Sequence, residues 1–138
     1  MKRFWLPVSE SLEWTSEPVN PTKVTEAQNV ALTWNYSLTP AEQTSSDRLY
    51  SVEWFKFNLS ISEYSKIASL TRFNGDFSFS EPNGPHIVVG QPVVLNSATL
   101  KINDVTINDE GLYKIVYLLF SGKINESEVN LTVLGKFV

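Results

Sequence analysis

The stretch Asp109-Glu110-Gly111-Leu112-Tyr113 decides how this chain is read. Asn108-Asp109-Glu110 is turn chemistry, built from short polar side chains that bond their own backbone. From Gly111 the sequence becomes a period-two strand running to Phe120, with Tyr113 and Ile115 on one face. Lys114, Val116, Leu118 and Phe120 fall on the other. Working outward, the same alternation dominates the chain, and no segment sustains a helical period. Residues 29–38 set Val30, Leu32, Trp34 and Tyr36 against Ala31, Thr33, Asn35 and Ser37. Further strands are predicted over 49–57 around Trp54, over 66–70, over 87–89, and over 98–105 with Leu100, Ile102 and Val105 inward. Ser121-Gly122-Lys123 reads as a tight hairpin loop leading into a strand over 124–134. A polar loop is expected over 39–48, and the Gly/Asn/Pro-rich region that ends at Pro85 is expected to carry one more strand segment, as an irregular connection. Pro18 and Pro21 mark the first extended stretch as an edge strand that breaks and changes sheet. Nine short strands separated by turns predict an all-β, antiparallel sandwich.

The motif Asp109-x-Gly111-x-Tyr113-x-Ile115 stands beside a strand-borne Trp54 and the segments Asn29-Val30-Ala31-Leu32-Thr33-Trp34-Asn35-Tyr36-Ser37, Val52-Glu53-Trp54-Phe55-Lys56 and Ala98-Thr99-Leu100-Lys101-Ile102. Over residues 22–134 the chain thereby resembles a V-set immunoglobulin domain. The resemblance implies a Greek-key immunoglobulin-like sandwich over 22–138, preceded by an N-terminal extension or first-strand region over 1–21. It departs from the family at two places, since Ile115 and Trp34 stand where that family carries the cysteines of its inter-sheet disulfide. Losing such a bond costs a small domain about 2–5 kcal/mol. Fully burying two large apolar groups contributes about 1.5–3 kcal/mol each, so a Trp34–Ile115 contact is an offset of the right size. If the alignment slips by one strand, Trp34 is instead a partly exposed aromatic. The resemblance also implies a tyrosine corner at Tyr113. The motif Asp usually pairs with an Arg, and here that place falls on His86, which implies a weaker and pH-dependent pairing. Loss of both cysteines is similar to certain invertebrate recognition proteins, such as the allorecognition receptors of colonial cnidarians, whose role is self-recognition between cells.

At 138 residues and 42% apolar content the chain is one domain able to bury a core of its own. Net charge is −4 and the eleven basic residues are scattered, which is no footprint for nucleic acid. Zero cysteines remove disulfides, thiol nucleophiles and thiolate metal sites together. His86 is the single histidine, flanked by Pro85 and Ile87, and no Gly-x-Ser-x-Gly exists, so neither an enzyme nor a cofactor is expected. Asn103-Asp104 and Asn108-Asp109-Glu110 offer oxygens for weak calcium binding, but the turn reading of these residues is the stronger one. Four sequons, at Asn35, Asn58, Asn125 and Asn130, argue for secretion and for a glycoprotein. The opening residues lack a signal-peptide pattern, and no stretch reaches the roughly 18 apolar residues of a membrane span. The expectation is therefore one domain of a cell-surface ectodomain, with signal and anchor outside this chain.

With Trp54 inward, Ser51, Glu53, Phe55 and Phe57 point outward from their strand. In the family's lettering this strand (C) lies beside the strand over 111–120 (F), in the GFCC′ sheet. Its outer face is then expected to gather Phe55, Phe57, Val116, Leu118 and Phe120, with Lys114 among them and Glu53 and Lys66 as charge at the rim. Sheets that face water normally alternate apolar with polar residues, and contiguous apolar patches mark interaction sites. Two other occupants suit the same face: the N-terminal extension, through Phe4, Trp5, Leu6 and Trp14, or a neighbouring domain. A glycan at Asn130 is expected to shield the edge of this sheet. The resemblance implies that the face binds another immunoglobulin-like domain on an opposing cell, either homophilically, the first choice, or in a related chain. The alternatives are a structural spacer domain without a ligand of its own, including a cytosolic muscle-type module, and a small-molecule carrier, which requires an internal cavity.

Overall fold

A computed structural model describes residues 12–38, 49–73, 76–80, 86–90, 97–120 and 122–135. The polar loop expected over 39–48, and Phe4, Trp5 and Leu6, lie outside them. Among the described residues there are ten strands and one short 3-10 turn, Ile107–Asp109. The strands are β1 (Glu13–Ser16), β2 (Thr22–Thr25), β3 (Val30–Ser37), β4 (Leu49–Asn58), β5 (Glu63–Phe73), β6 (Asp76–Ser80), β7 (Ile87–Gly90), β8 (Ser97–Ile102), β9 (Gly111–Leu119) and β10 (Ile124–Leu134). They form two sheets, ordered β1-β3-β8-β7 and β2-β10-β9-β4-β5-β6. All pairs are antiparallel except β2 with β10, which run parallel. The result is a disulfide-free immunoglobulin-like β-sandwich. In family lettering the sheets read A-B-E-D and A′-G-F-C-C′-C″, the order of the variable type.

The first strand does change sheet. β1 pairs with β3 in one sheet and β2 with β10 in the other, and Pro18 and Pro21 stand between them. A proline contributes no backbone donor, so the crossing falls where no ladder bond is needed. Trp14 goes with β1. Its ring packs edge-on against Tyr117, 4.8 Å between centroids, on the inner side of the sandwich. The expectation that Trp14 belongs to a flap over the outer GFCC′ face is therefore corrected.

Two other expectations need correction. The strand segment expected before Pro85 as an irregular connection is a regular strand, Asp76–Ser80, paired along β5. Its Asp-Phe-Ser-Phe-Ser alternation carries that signal between flanking turn residues. β5 is also longer than the expected 66–70, beginning at Glu63 and ending at Phe73.

Between the sheets lies one hydrophobic core. Leu32, Trp34 and Trp54 are fully buried in it with Leu100, Ile102, Ile115, Val129 and Leu131. Trp34 and Ile115, at the two places where the resemblance sets the cysteines, are both 0% exposed. Trp34 is thus a core residue and not an exposed aromatic. Its indole Nε1 also donates to Ser127 Oγ at 2.9 Å, a bond from β3 in one sheet to β10 in the other. Ser127 sits opposite Ile115 in the β9–β10 register. The hydroxyl of Ser127 in turn donates to the Glu17 carboxylate in the link between β1 and β2. A hydrogen-bonded relay thus runs from the buried Trp34 indole through Ser127 to the surface at Glu17, tying the two sheets together beside the Trp34–Ile115 positions.

The Asp109 motif closes one end of the fold. The Tyr113 hydroxyl donates to the Asp109 carbonyl at 2.5 Å, which is the tyrosine corner. The Asp109 carboxylate accepts from the Thr106 amide at 2.8 Å, and its Oδ1 lies 2.6 Å from His86 Nε2. His86 thus takes the place expected of it, and Asp109 is buried beneath it. Gly111 follows with φ +144°, a conformation that side chains rarely adopt. Beside it Lys56 stretches along the inner face so that Nζ donates to the Asn108 carbonyl at 2.5 Å. Burial lowers the Lys56 pKa, and the Asp109 charge partly offsets this.

Candidate functional site

The outer face of β4, β5, β9 and β10 carries the expected residues in defined cross-strand rows. One row reads Glu128, Lys114, Phe55, Lys66 across β10, β9, β4 and β5. The next reads Glu126, Val116, Glu53, Ser69, and the third Ile124, Leu118, Ser51, Thr71. Glu53, Phe55, Lys66, Lys114, Val116 and Leu118 are therefore near neighbours on one surface. Phe55, Phe57, Val116 and Leu118 are each half-buried, which leaves part of every one of these side chains at the surface.

Charge and aromatic groups interlock on this face. The Lys114 ammonium lies 4.3 Å from the centroid of the Tyr64 ring and 5.5 Å from that of Phe55. Contacts of this kind contribute about 0.5–1 kcal/mol at exposed sites. The same ammonium is 3.6 Å from Glu126 Oε1. Tyr64 stacks edge-on against Phe57 at 5.3 Å, and its hydroxyl donates to Glu128. Burial, followed by the bond to Glu128 and the charges of Glu128 and Glu126, raises the Tyr64 pKa. Glu53 and Lys66 form an ion pair with each other at 3.1 Å. Phe120 lies just beyond β9 and stacks edge-on with Tyr50 at 5.0 Å between centroids.

Sequence reasoning missed several members of this surface. Tyr64 fell outside the expected 66–70 strand, although its neighbour Lys66 was recognised. A bulge in β5 explains the difficulty, since Trp54 pairs with Ala68 and Phe55 with Lys66. The skipped Ile67 turns inward and is buried, so simple alternation fails at that point. Glu126 and Glu128 were legible from the parity of β10, which already placed Asn130 outward. Ser51 faces outward as expected, in the row with Leu118 and Thr71, yet it is only 2% exposed, next to a register shift between Leu49 and Ser51. Ser69, on the neighbouring β5, is buried as well. The chain itself therefore closes one corner of the face, and the open part centres on Phe55, Lys114 and Val116.

Other candidate chemistry finds its oxygens engaged in structure. Asp109 serves Thr106 and His86, while Glu110 Oε1 accepts from the Val133 amide at 2.9 Å. Among the described residues no group of three or more His, Asp or Glu is placed to hold a metal ion. No helix among them is long and apolar enough to cross a membrane. Trp34, Trp54 and Tyr113 fill the sandwich interior, where a carrier would need a cavity.

Compared with known proteins, the chain matches no family model and no curated protein sequence.

Proposed function

We propose that this chain is a V-set domain of the immunoglobulin superfamily acting in recognition or adhesion at the cell surface. In this reading it binds another immunoglobulin-like domain, most simply a second copy on an opposing cell, through the outer face of β4, β5, β9 and β10. One observation carries the proposal: half-exposed Phe55, Phe57, Val116 and Leu118 adjoin one another on a sheet face where alternation would put polar groups. The Lys114–Tyr64 and Glu53–Lys66 contacts add charge around that strip, which favours selective pairing over indiscriminate sticking. The sequons favour an extracellular address, and the missing cysteine pair favours the self-recognition receptors named above. No catalytic step or cofactor is part of the proposal.

The test uses beads of two colours coated with the domain, since avidity makes weak homophilic contacts visible. Mixed clumps that disappear with Phe55→Asp, in a protein that still melts cooperatively, support the proposal. Dispersed beads bearing folded wild-type domain overturn the homophilic form of it.

A second reading, a structural spacer, draws on the burial of Ser51 and Ser69, which shows that part of this face is already closed within the chain. It predicts that Phe55→Asp has no effect on any association.

A further inference from the structure

The four sequons are not equivalent, and their side-chain amides separate them. Asn35 is half-buried on β3, and its Nδ2 donates to Ser16 Oγ on β1 at 2.6 Å. Asn125 is half-buried at the start of β10, and its Nδ2 donates to the Leu12 carbonyl at 2.9 Å. Both amides thus hold the same element, the short first strand, from opposite sheets. In the Asn125 sequon even the hydroxyl residue is buried, because Ser127 accepts from Trp34 and donates to Glu17. Asn58 and Asn130 differ in every respect. Both are exposed, and no described contact uses either Nδ2. Asn58 Oδ1 accepts from the Ser60 amide at 2.9 Å, which leaves its nitrogen pointing away from that turn.

We infer that Asn58 and Asn130 are the N-glycan carriers of the folded domain, and that Asn35 and Asn125 are clamps for β1 that must stay unmodified. An N-linked sugar replaces one hydrogen of Nδ2 and brings a bulky polar group. At Asn125 that group has to displace the chain at Leu12, just before β1, and at Asn35 it takes the hydrogen that the amide gives to Ser16 on β1. At Asn58 and Asn130 it meets an open groove of about 720 Å3, lined among others by Leu59, Ile67, Gly111 and Leu112. The first sugar ring has an apolar face to lay against these side chains. Both carriers border this one groove. Asn130 pairs with Leu112, four residues along β9 from Val116, or about 13 Å at the usual strand rise. Glycans at these two positions flank the interaction face and leave its centre uncovered.

The biological weight of this inference rests on the extracellular reading above, but its test does not. The chain is secreted from a cultured eukaryotic cell behind a supplied signal peptide, and the folded monomer is purified. Enzymatic release of N-glycans converts each occupied Asn to Asp, which peptide mapping then locates. Conversion at Asn58 and Asn130, with Asn35 and Asn125 intact, is the expected result. Conversion at Asn35 or Asn125 in folded protein, or its absence from either Asn58 or Asn130, overturns the assignment. Unglycosylated protein from bacteria tests the clamps separately. Asn35→Ala and Asn125→Ala should each lower Tm by about 2–6 °C, and Asn130→Ala should leave it within about 1 °C. Clamp variants that melt like wild type would overturn the structural half of the inference, whatever the native address.

Discussion

Trp34 donates its indole proton to Ser127 across the sandwich at 2.9 Å, from the strand position where an immunoglobulin domain carries a cysteine. Apolar volume alone would replace the disulfide's packing but not its directionality. The indole supplies both, since a buried donor is satisfied only when β3 and β10 are in register. Ser127→Ala leaves that N–H buried without an acceptor and should cost about 1–3 kcal/mol. Trp34→Phe also loses volume, but in combination with Ser127→Ala the two losses should be less than additive. Urea denaturation of the two single variants and the double variant measures the coupling.

The Asp109 cluster should show an order of effects. Asp109 is buried and serves both Thr106 and His86, so Asp109→Ala should destabilise by about 2–4 kcal/mol. His86 is partly open to solvent, and His86→Ala should cost about 1 kcal/mol or less. Midpoints of chemical denaturation distinguish the two. A His86→Ala loss equal to that of Asp109→Ala would mean that the pair, and not the Thr106 bond, organises this turn.

Gly111 should tolerate no side chain. Its φ of +144° strains any other residue, while an added Cβ would only touch Lys56 Cε, at 3.4 Å. Gly111→Ala should cost about 1–3 kcal/mol. The accompanying readout is loss of the Lys56 contact with the Asn108 carbonyl, followed by NMR of the Asn108–Gly111 amides.

Alkaline pH should unfold the domain through its buried tyrosines. Burial raises the pKa of Tyr36, Tyr113 and Tyr117 above the ordinary value of 10.0. Below pH 10 both folded and unfolded chains keep these phenols protonated, and nothing is lost. Above it the unfolded chain ionises while the folded one does not, so stability falls by about 1.4 kcal/mol per pH unit for each group. Phenolate absorbance should therefore rise together with loss of β-sheet circular dichroism, in one transition above pH 10.

On the interaction face, Lys114→Glu sets an acidic group among Glu126 and Glu128. It should abolish bead aggregation while changing stability by about 1 kcal/mol or less. Adding Glu126→Lys should restore part of the association. Unchanged clumping by Lys114→Glu would move the contact away from this strip.

The inward faces of β3, β4 and β9 were readable because each carries a large anchor, Trp34, Trp54 or Tyr113, and that of β10 because its alternation is clean. Where the reading slipped, backbone irregularity broke the alternation. The bulge at Ile67 hid Tyr64, and beside the register shift between Leu49 and Ser51 an outward-facing serine is covered. Dense turn residues on both sides masked the short β6. The Trp34–Ser127 bond spans 93 residues, and a pairing that distant leaves no local trace in the sequence. The half-exposed apolar strip was legible in the alternation, but its ion pairs and ring contacts arise only once four strands lie side by side.

The inter-sheet hydrogen bond also has a mechanical meaning. In a disulfide-tied sandwich, the chain between the two bridged strands cannot extend under load, because the covalent loop holds it. Here that stretch, from Trp34 to Ile115, is more than half of the sequence. Once tension breaks the Trp34–Ser127 bond, nothing covalent stops the domain from paying out its whole length, roughly 450–500 Å for 138 residues. In the role proposed here, at a contact between cells, such a domain would act as a tether that lengthens under strain.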